Sequence, residues 1–193
     1  MRIISPGFTH ASRTRNLRLL ASPANPRANN IHGHIIELTE TGDDATATTF
    51  TWEIFILCGD PNNPADGTFF AGCDPSHVSP ISSPDNITFD GEGNLWIATD
   101  GQPSTLRKND GIYAVPVAGD ERGCLRQFLS GPVGSELCGP EFSPDGTALF
   151  CAIQHPGEGG TLEKPVSTWP DGTTPPRPSV IAVVKADGGT IGG

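Results

Sequence analysis

Two short segments carry residues able to do chemistry. Asp85 and Asn86 stand side by side in Ser-Pro-Asp-Asn-Ile-Thr-Phe, and Glu141 sits in Cys-Gly-Pro-Glu-Phe. Each precedes or lies within a short apolar run, so strands rather than loop tips must position them. Carboxylate and amide oxygens suit a hard cation such as calcium, which takes about six to eight oxygen ligands. An Asx residue before a strand is also ordinary turn chemistry. Glu141, held between Gly-Pro and Phe, is expected to cap a backbone group, pair with an arginine or bind a metal. His155, in Ile-Gln-His-Pro-Gly, follows a further apolar run and is either a loop residue or a neighbour of the same site. His32 and His34 alternate along a predicted strand and share a face, where a structural role is expected.

The elements that place these residues are short. The 193 residues include 24 glycines and 19 prolines, which leaves little room for long helices. No run approaches the roughly 20 apolar residues of a membrane-spanning helix. The net charge of −10 disfavours a phosphate-backbone binder, so no nucleic-acid partner is expected. The charge is uneven. Residues 1–36 hold five arginines and no acid, a composition that reads as a transit peptide or as a disordered extension upstream of the fold.

From residue 32 the sequence alternates β-branched or aromatic runs with turn signals. Strands are expected over 31–38, 48–57, 86–89, 95–99, 111–117, 125–129, 139–142, 148–153 and 179–185. Irregular loops are expected over 58–82 and 155–178. Asn-Ile-Thr-Phe-Asp-Gly-Glu-Gly-Asn-Leu-Trp-Ile-Ala-Thr and Pro-Glu-Phe-Ser-Pro-Asp-Gly-Thr-Ala-Leu-Phe-Cys-Ala-Ile repeat one pattern: a run ending in Phe, a tight turn, and a second strand. Aligning Leu95 with Leu149 gives a period of 54, the length of a four-stranded propeller blade. Residues 32–193 hold three such units, whereas closed propellers need about four or more. The expectation is an all-β, partial propeller whose open blade edges favour self-association.

The five cysteines, Cys58, Cys73, Cys124, Cys138 and Cys151, have no zinc spacing. Cys58 and Cys73 flank a Pro/Gly/Asn-rich insert where a loop disulfide is conceivable; buried free thiols are the alternative. Trp52, Trp96 and Trp169 are expected to pack between blades. Phosphate-cradling, nucleophile-elbow and zinc-helix motifs are absent.

Taken jointly, several motifs resemble the C-terminal part of the PhoX-type alkaline phosphatases. They are Asn25-Pro-Arg-Ala-Asn-Asn30 with Gly33-His-Ile, Thr49-Phe-Thr-Trp-Glu53, Asp85-Asn-Ile-x-Phe-Asp90 and Gly93-Asn-Leu-Trp-Ile-Ala-Thr-Asp-Gly101. Cys138-Gly-Pro-Glu-Phe-x-Pro-Asp-Gly146, Ile153-Gln-His-Pro-Gly-Glu158, Ser167-Thr-Trp-Pro170 and Arg177-Pro-Ser complete the set. The resemblance covers residues 24–188. It implies a six-bladed, monomeric phosphomonoesterase exported by the twin-arginine route, working in the periplasm or outside the cell with a cluster of iron and calcium. By the same resemblance Asp85 and Glu141 are calcium-side metal ligands, and Asn86 and His155 are neighbours of the site.

The departures are equally informative. The family's iron-binding cysteine, several acidic ligands and its phosphate-contacting arginine belong to blades that this sequence lacks, and no export leader is seen. Residues 1–23 read as an unrelated extension and 24–193 as the C-terminal blades. The expectation is therefore a fragment of a phosphate-monoester hydrolase, inactive alone. A non-catalytic calcium-binding propeller module and a calcium-dependent lactonase-like propeller enzyme are the alternatives.

Overall fold

The computed structural model describes residues 2–7 and 20–192. Three antiparallel sheets account for the described strands. The first blade contains β1 (Arg2–Gly7), β2 (His34–Glu40), β3 (Phe50–Leu57) and the two-residue β4 (Phe69–Phe70), in that order. The second contains β5 (Pro84–Phe89), β6 (Leu95–Thr99), β7 (Gly111–Val115) and β8 (Arg126–Ser130), also in order. The third contains β9 (Glu136–Phe142), β10 (Ala148–Gln154) and β11 (Ser179–Val184), with β11 as its outer edge. The first strands of the blades lie side by side, β1 against β5 and β5 against β9. This is a partial, unclosed propeller, and the only α-helix among the described residues is one turn, α1 (Gln102–Thr105).

The repeat seen in the sequence is a repeat of structure. Phe89 faces Leu95 across the first hairpin of the second blade, and Phe142 faces Leu149 across that of the third. Both leucines are fully buried. Leu95 packs with Ile97, Tyr113 and Val115 against Ile35, Phe55 and Ile56 of the first blade. Leu149 packs with Cys151 and Ile153 against Trp96, Ala98 and Ile112 of the second. Alternate residues of each strand point to opposite faces, so β6 feeds two cores, with Leu95 and Ile97 on one side and Trp96 and Ala98 on the other. The turn before β6 is fixed by Asp90, which accepts hydrogen bonds from the Glu92 and Asn94 backbones and from Trp96 Nε1 at 2.9 Å.

Three expectations are corrected. Cys73 is bonded to Cys124, not to Cys58, across 51 residues. Cys58 is instead a fully buried thiol in the first core, which pushes it up to about 12. The bridge joins the loop after β4 to the loop before β8, a pairing that only blade-on-blade packing creates. Next, β2 begins at His34 rather than 31, so His32 is not its strand partner; Gly33, at φ 79°, bends the chain between them. Finally, Trp52 is 41% exposed. It lies on the face of β3 opposite Glu53, which turns toward the second blade and pairs with Arg122. Trp96, by contrast, is buried edge-on between Phe128 and Phe142. The expected extension over residues 1–23 falls largely outside the described residues. Within it, Arg2–Gly7 pairs with His34–Thr39 of β2.

Candidate functional site

One end of the blades gathers charge. Asp85 lies at the start of β5, in a bulge where the ladder to β6 skips from Pro84 to Ile87. Asp100 immediately follows β6, Glu136 opens β9, and His155 follows β10. Antiparallel pairing brings the start of one strand beside the end of the next, so these four residues share one mouth. Asp85 is partly buried, and burial followed by the nearby Asp100 carboxylate holds it above its ordinary value. Glu136 is raised by burial and then by Asp100, whose carboxyl shares a hydrogen bond with it. His155 Nε2 lies 3.3 Å from Glu136 Oε2, and Nδ1 lies 3.5 Å from Glu158 Oε2. Burial works to lower His155, but the two carboxylates outweigh it and its net shift is upward.

Second partners place these groups. Asp110, 3% exposed, accepts hydrogen bonds from Thr99 Oγ1 and from the Gly101 and Gln102 backbones, which fixes the segment carrying Asp100. Gly101 adopts φ +125°, and a Cβ there would stand 3.0 Å from Ser83 Oγ, so the residue after Asp100 must be glycine. Asn86 Oδ1 accepts the Gly139 N–H at 3.0 Å, joining β5 to β9. Gly139 is two residues from Glu141, which is solvent-exposed rather than enclosed as its Gly-Pro-Phe context suggested. Glu141 pairs across the ladder with Phe150, further along β9 than Glu136.

The structure thus brings Asp85 and His155 to one mouth and links Asn86 to the segment of Glu141. Asp100 and Glu136 join them. Neither stood out in the sequence, because an acid at a strand end looks like any turn residue until the blades pack. The oxygen-rich donor types fit a calcium-like cation. Among the described residues, however, no three His, Cys, Asp or Glu side chains converge closely enough to hold a metal.

A second set has the residue types of a nucleophilic triad. His32 Nδ1 lies 3.1 Å from Ser82 Oγ, and His32 Nε2 lies 3.3 Å from Asp66 Oδ2. Ser82 has no solvent exposure, and its hydroxyl accepts a hydrogen bond from Thr105 at 2.8 Å. With no route for a substrate, this is a structural relay tying the 58–82 loop to α1. Arg27 does similar work for the Asn-Pro-Arg-Ala-Asn-Asn segment, donating to the Cys58 and Gly33 carbonyls and to Asn30 Oδ1.

A stack of three antiparallel blades, two four-stranded and one three-stranded, with acidic residues at one mouth defines a partial, unclosed propeller. The chain belongs to the alkaline phosphatase PhoX family, whose model matches residues 7–157. It is similar to a solved structure, Pseudomonas fluorescens PhoX in complex with vanadate, a transition state analogue, at 35% identity and a TM-score of 0.72. That match covers 90% of this chain and 30% of the other, so this chain spans about a third of that relative's length. No curated protein matches.

Proposed function

We propose that this chain is the C-terminal third of a calcium- and iron-dependent phosphomonoesterase, contributing part of the metal site and lacking the remainder. Membership of the PhoX family carries this reading. Asp85 and Glu141 are the proposed calcium ligands, with Asn86 and His155 beside them. When bound, the metals supply charge to the phosphoryl oxygens and an activated water or oxo group. The chain's own residues orient the site: Asn86 fixes β5 against β9, and Asp110 fixes the segment of Asp100. With no three ligand side chains converging among the described residues, the isolated chain is inactive or nearly so.

The Cys73–Cys124 bridge supports a periplasmic or extracellular setting, where disulfides persist. No helix among the described residues is long and apolar enough to cross a membrane. The substrate class is a phosphate monoester.

The test is p-nitrophenyl phosphate hydrolysis with added calcium and iron, alongside calcium titration by calorimetry. We expect no turnover, and weak calcium binding that Asp85→Ala and Glu141→Ala each reduce at least about fivefold. Calcium binding unchanged in both variants would overturn the ligand assignment, and metal-dependent turnover would overturn the claim of an incomplete site.

A further inference from the structure

The middle blade carries a cleft that the proposed metal site does not use. It lies along the outer strand β8, has a volume of about 460 Å³, and is lined by Lys108, Asn109, Gln127, Phe128, Leu129 and Ser130. Small-molecule sites usually occupy about 300 to 1,000 Å³. The second blade packs against the first on one face and the third on the other, so the walls of the cleft belong to a blade that is docked on both sides. Asp85, Asn86, Glu141 and His155 do not border it.

The walls are fixed to one another. Asn109 Nδ2 donates to the Gly131 carbonyl at 2.9 Å, and the Gly131 N–H donates to the Asp110 carbonyl at 2.8 Å, which locks the 108–110 loop to the end of β8. Buried Gln102 donates through Nε2 to the Asn109 carbonyl and to the Tyr113 hydroxyl, both at 3.0 Å. The Phe128 ring meets buried Trp96 edge-on, with centroids 4.9 Å apart. Gly111 gives the start of β7 its place, since a Cβ there would stand 3.0 Å from Gln127 Nε2 and would collide with the Leu129 carbonyl. Where the loop enters the cleft, Arg107 adopts φ 56°, a left-handed conformation that side-chain-bearing residues adopt infrequently.

The lining then limits what can bind. The Lys108 ammonium, the Gln127 side-chain amide and the Ser130 hydroxyl have no hydrogen-bond or ion-pair partner among the described residues. Asn109 commits its amide N–H to Gly131 and keeps its Oδ1 as an acceptor. Although the chain holds 22 acids against 12 bases, no carboxylate lines the cleft. Phe128, 39% exposed, and Leu129 add apolar surface. A wholly apolar ligand would desolvate the three polar groups without replacing their water. A bare inorganic anion would leave Phe128 and Leu129 unused.

We infer that this cleft binds an anionic sugar, a pyranose ring bearing one carboxylate or phosphate group. The anion pairs with Lys108, the ring hydroxyls bond to Asn109, Gln127 and Ser130, and a C–H face of the ring lies on Phe128. The site needs no metal and shares no residue with the proposed calcium ligands, so it stands apart from the phosphatase reading.

An NMR titration of the isotope-labelled chain in EDTA tests this, with glucuronate, glucose-6-phosphate, glucose, acetate and inorganic phosphate as probes. At least one of the two anionic sugars should shift the backbone amides of Asn109 and Gln127–Ser130 saturably, and the tighter of them names the anion. It should bind at least about fivefold more tightly than glucose, because one charge-assisted hydrogen bond separates them. Lys108→Gln should bring that sugar to the affinity of glucose, whereas Gln127→Ala should weaken both sugars. Both side chains are exposed, and an otherwise unchanged spectrum checks that each variant is folded. Glucose binding as tightly as either anionic sugar would overturn the role of Lys108. Acetate or phosphate binding as tightly as the sugars would overturn the role of the ring. The absence of saturable shifts at these amides, or shifts from glucose-6-phosphate confined to Asp85, Asp100 and His155, would overturn the site itself.

Discussion

Asn86 accepts the Gly139 N–H through its side-chain oxygen at 3.0 Å, and this one bond ties the innermost strands of two blades together beside the proposed site. Removing it tests how far the site depends on blade docking. Asn86→Ala should cost about 1 kcal/mol of stability. Asn86→Asp should cost less, because the acceptor remains. Urea denaturation of the three proteins measures both, and an alanine variant as stable as the wild type would show that the bond positions nothing.

The bridge between Cys73 and Cys124 spans 51 residues, and closing a loop of that length restricts the unfolded chain by about 4 kcal/mol. Cys124→Ala should therefore lower stability by about 2 to 5 kcal/mol. Thiol titration without reductant should find three reactive thiols in denaturant, Cys58, Cys138 and Cys151. In the folded protein only Cys138, the one not buried, should react quickly.

His32 and His34 set an acid limit on stability. Burial lowers both below their ordinary value of 6.5; the Arg27 charge lowers them further, and Asp66 opposes it at His32. The folded state thus holds fewer protons on these rings than the unfolded state as pH falls below about 6.5. Their contribution is fully present above the unfolded value and is lost as pH falls toward the folded values. Between about pH 5 and 7 the urea midpoint should fall with acidification. A His32→Gln, His34→Gln double variant should show a shallower fall, and an identical slope would show that these rings do not titrate differently on folding.

Leu149 and Phe150 are chain neighbours with opposite fates. Leu149→Ala empties a fully buried position in the second core and should cost about 2 to 5 kcal/mol. Phe150→Ala removes a side chain that is 42% exposed on the opposite face of β10. It should cost less than about 1 kcal/mol. Equal losses would contradict the assignment of faces.

Much of the fold was legible because its signals are local. The strand over residues 95–99 matches the expectation at both ends, since β-branched and aromatic residues between Gly-Asn and Asp-Gly leave little choice. The 54-residue period identified the blades because equivalent strands need equivalent buried residues, and Leu95 with Leu149 shows it. Two strands escaped. β1 escaped because Arg2–Gly7 forms a strand by pairing with β2 rather than through its own composition. β4 escaped because two residues are too few for any periodicity.

The candidate site divides the same way. The sequence by itself determined the residue types: Asp85 and Asn86 before a strand, Glu141 within one, His155 after another, and cysteines free of zinc spacing. Tertiary structure alone decided which of them meet. It added Asp100 and Glu136 to the mouth of Asp85 and His155, left Glu141 exposed further along β9, joined Cys73 to Cys124, and buried Ser82 where its triad-like partners can only hold the fold. The physical reason is that strand identity follows from neighbours in the chain, whereas charge clusters and disulfides form between blades, from residues tens of positions apart that only packing brings within reach.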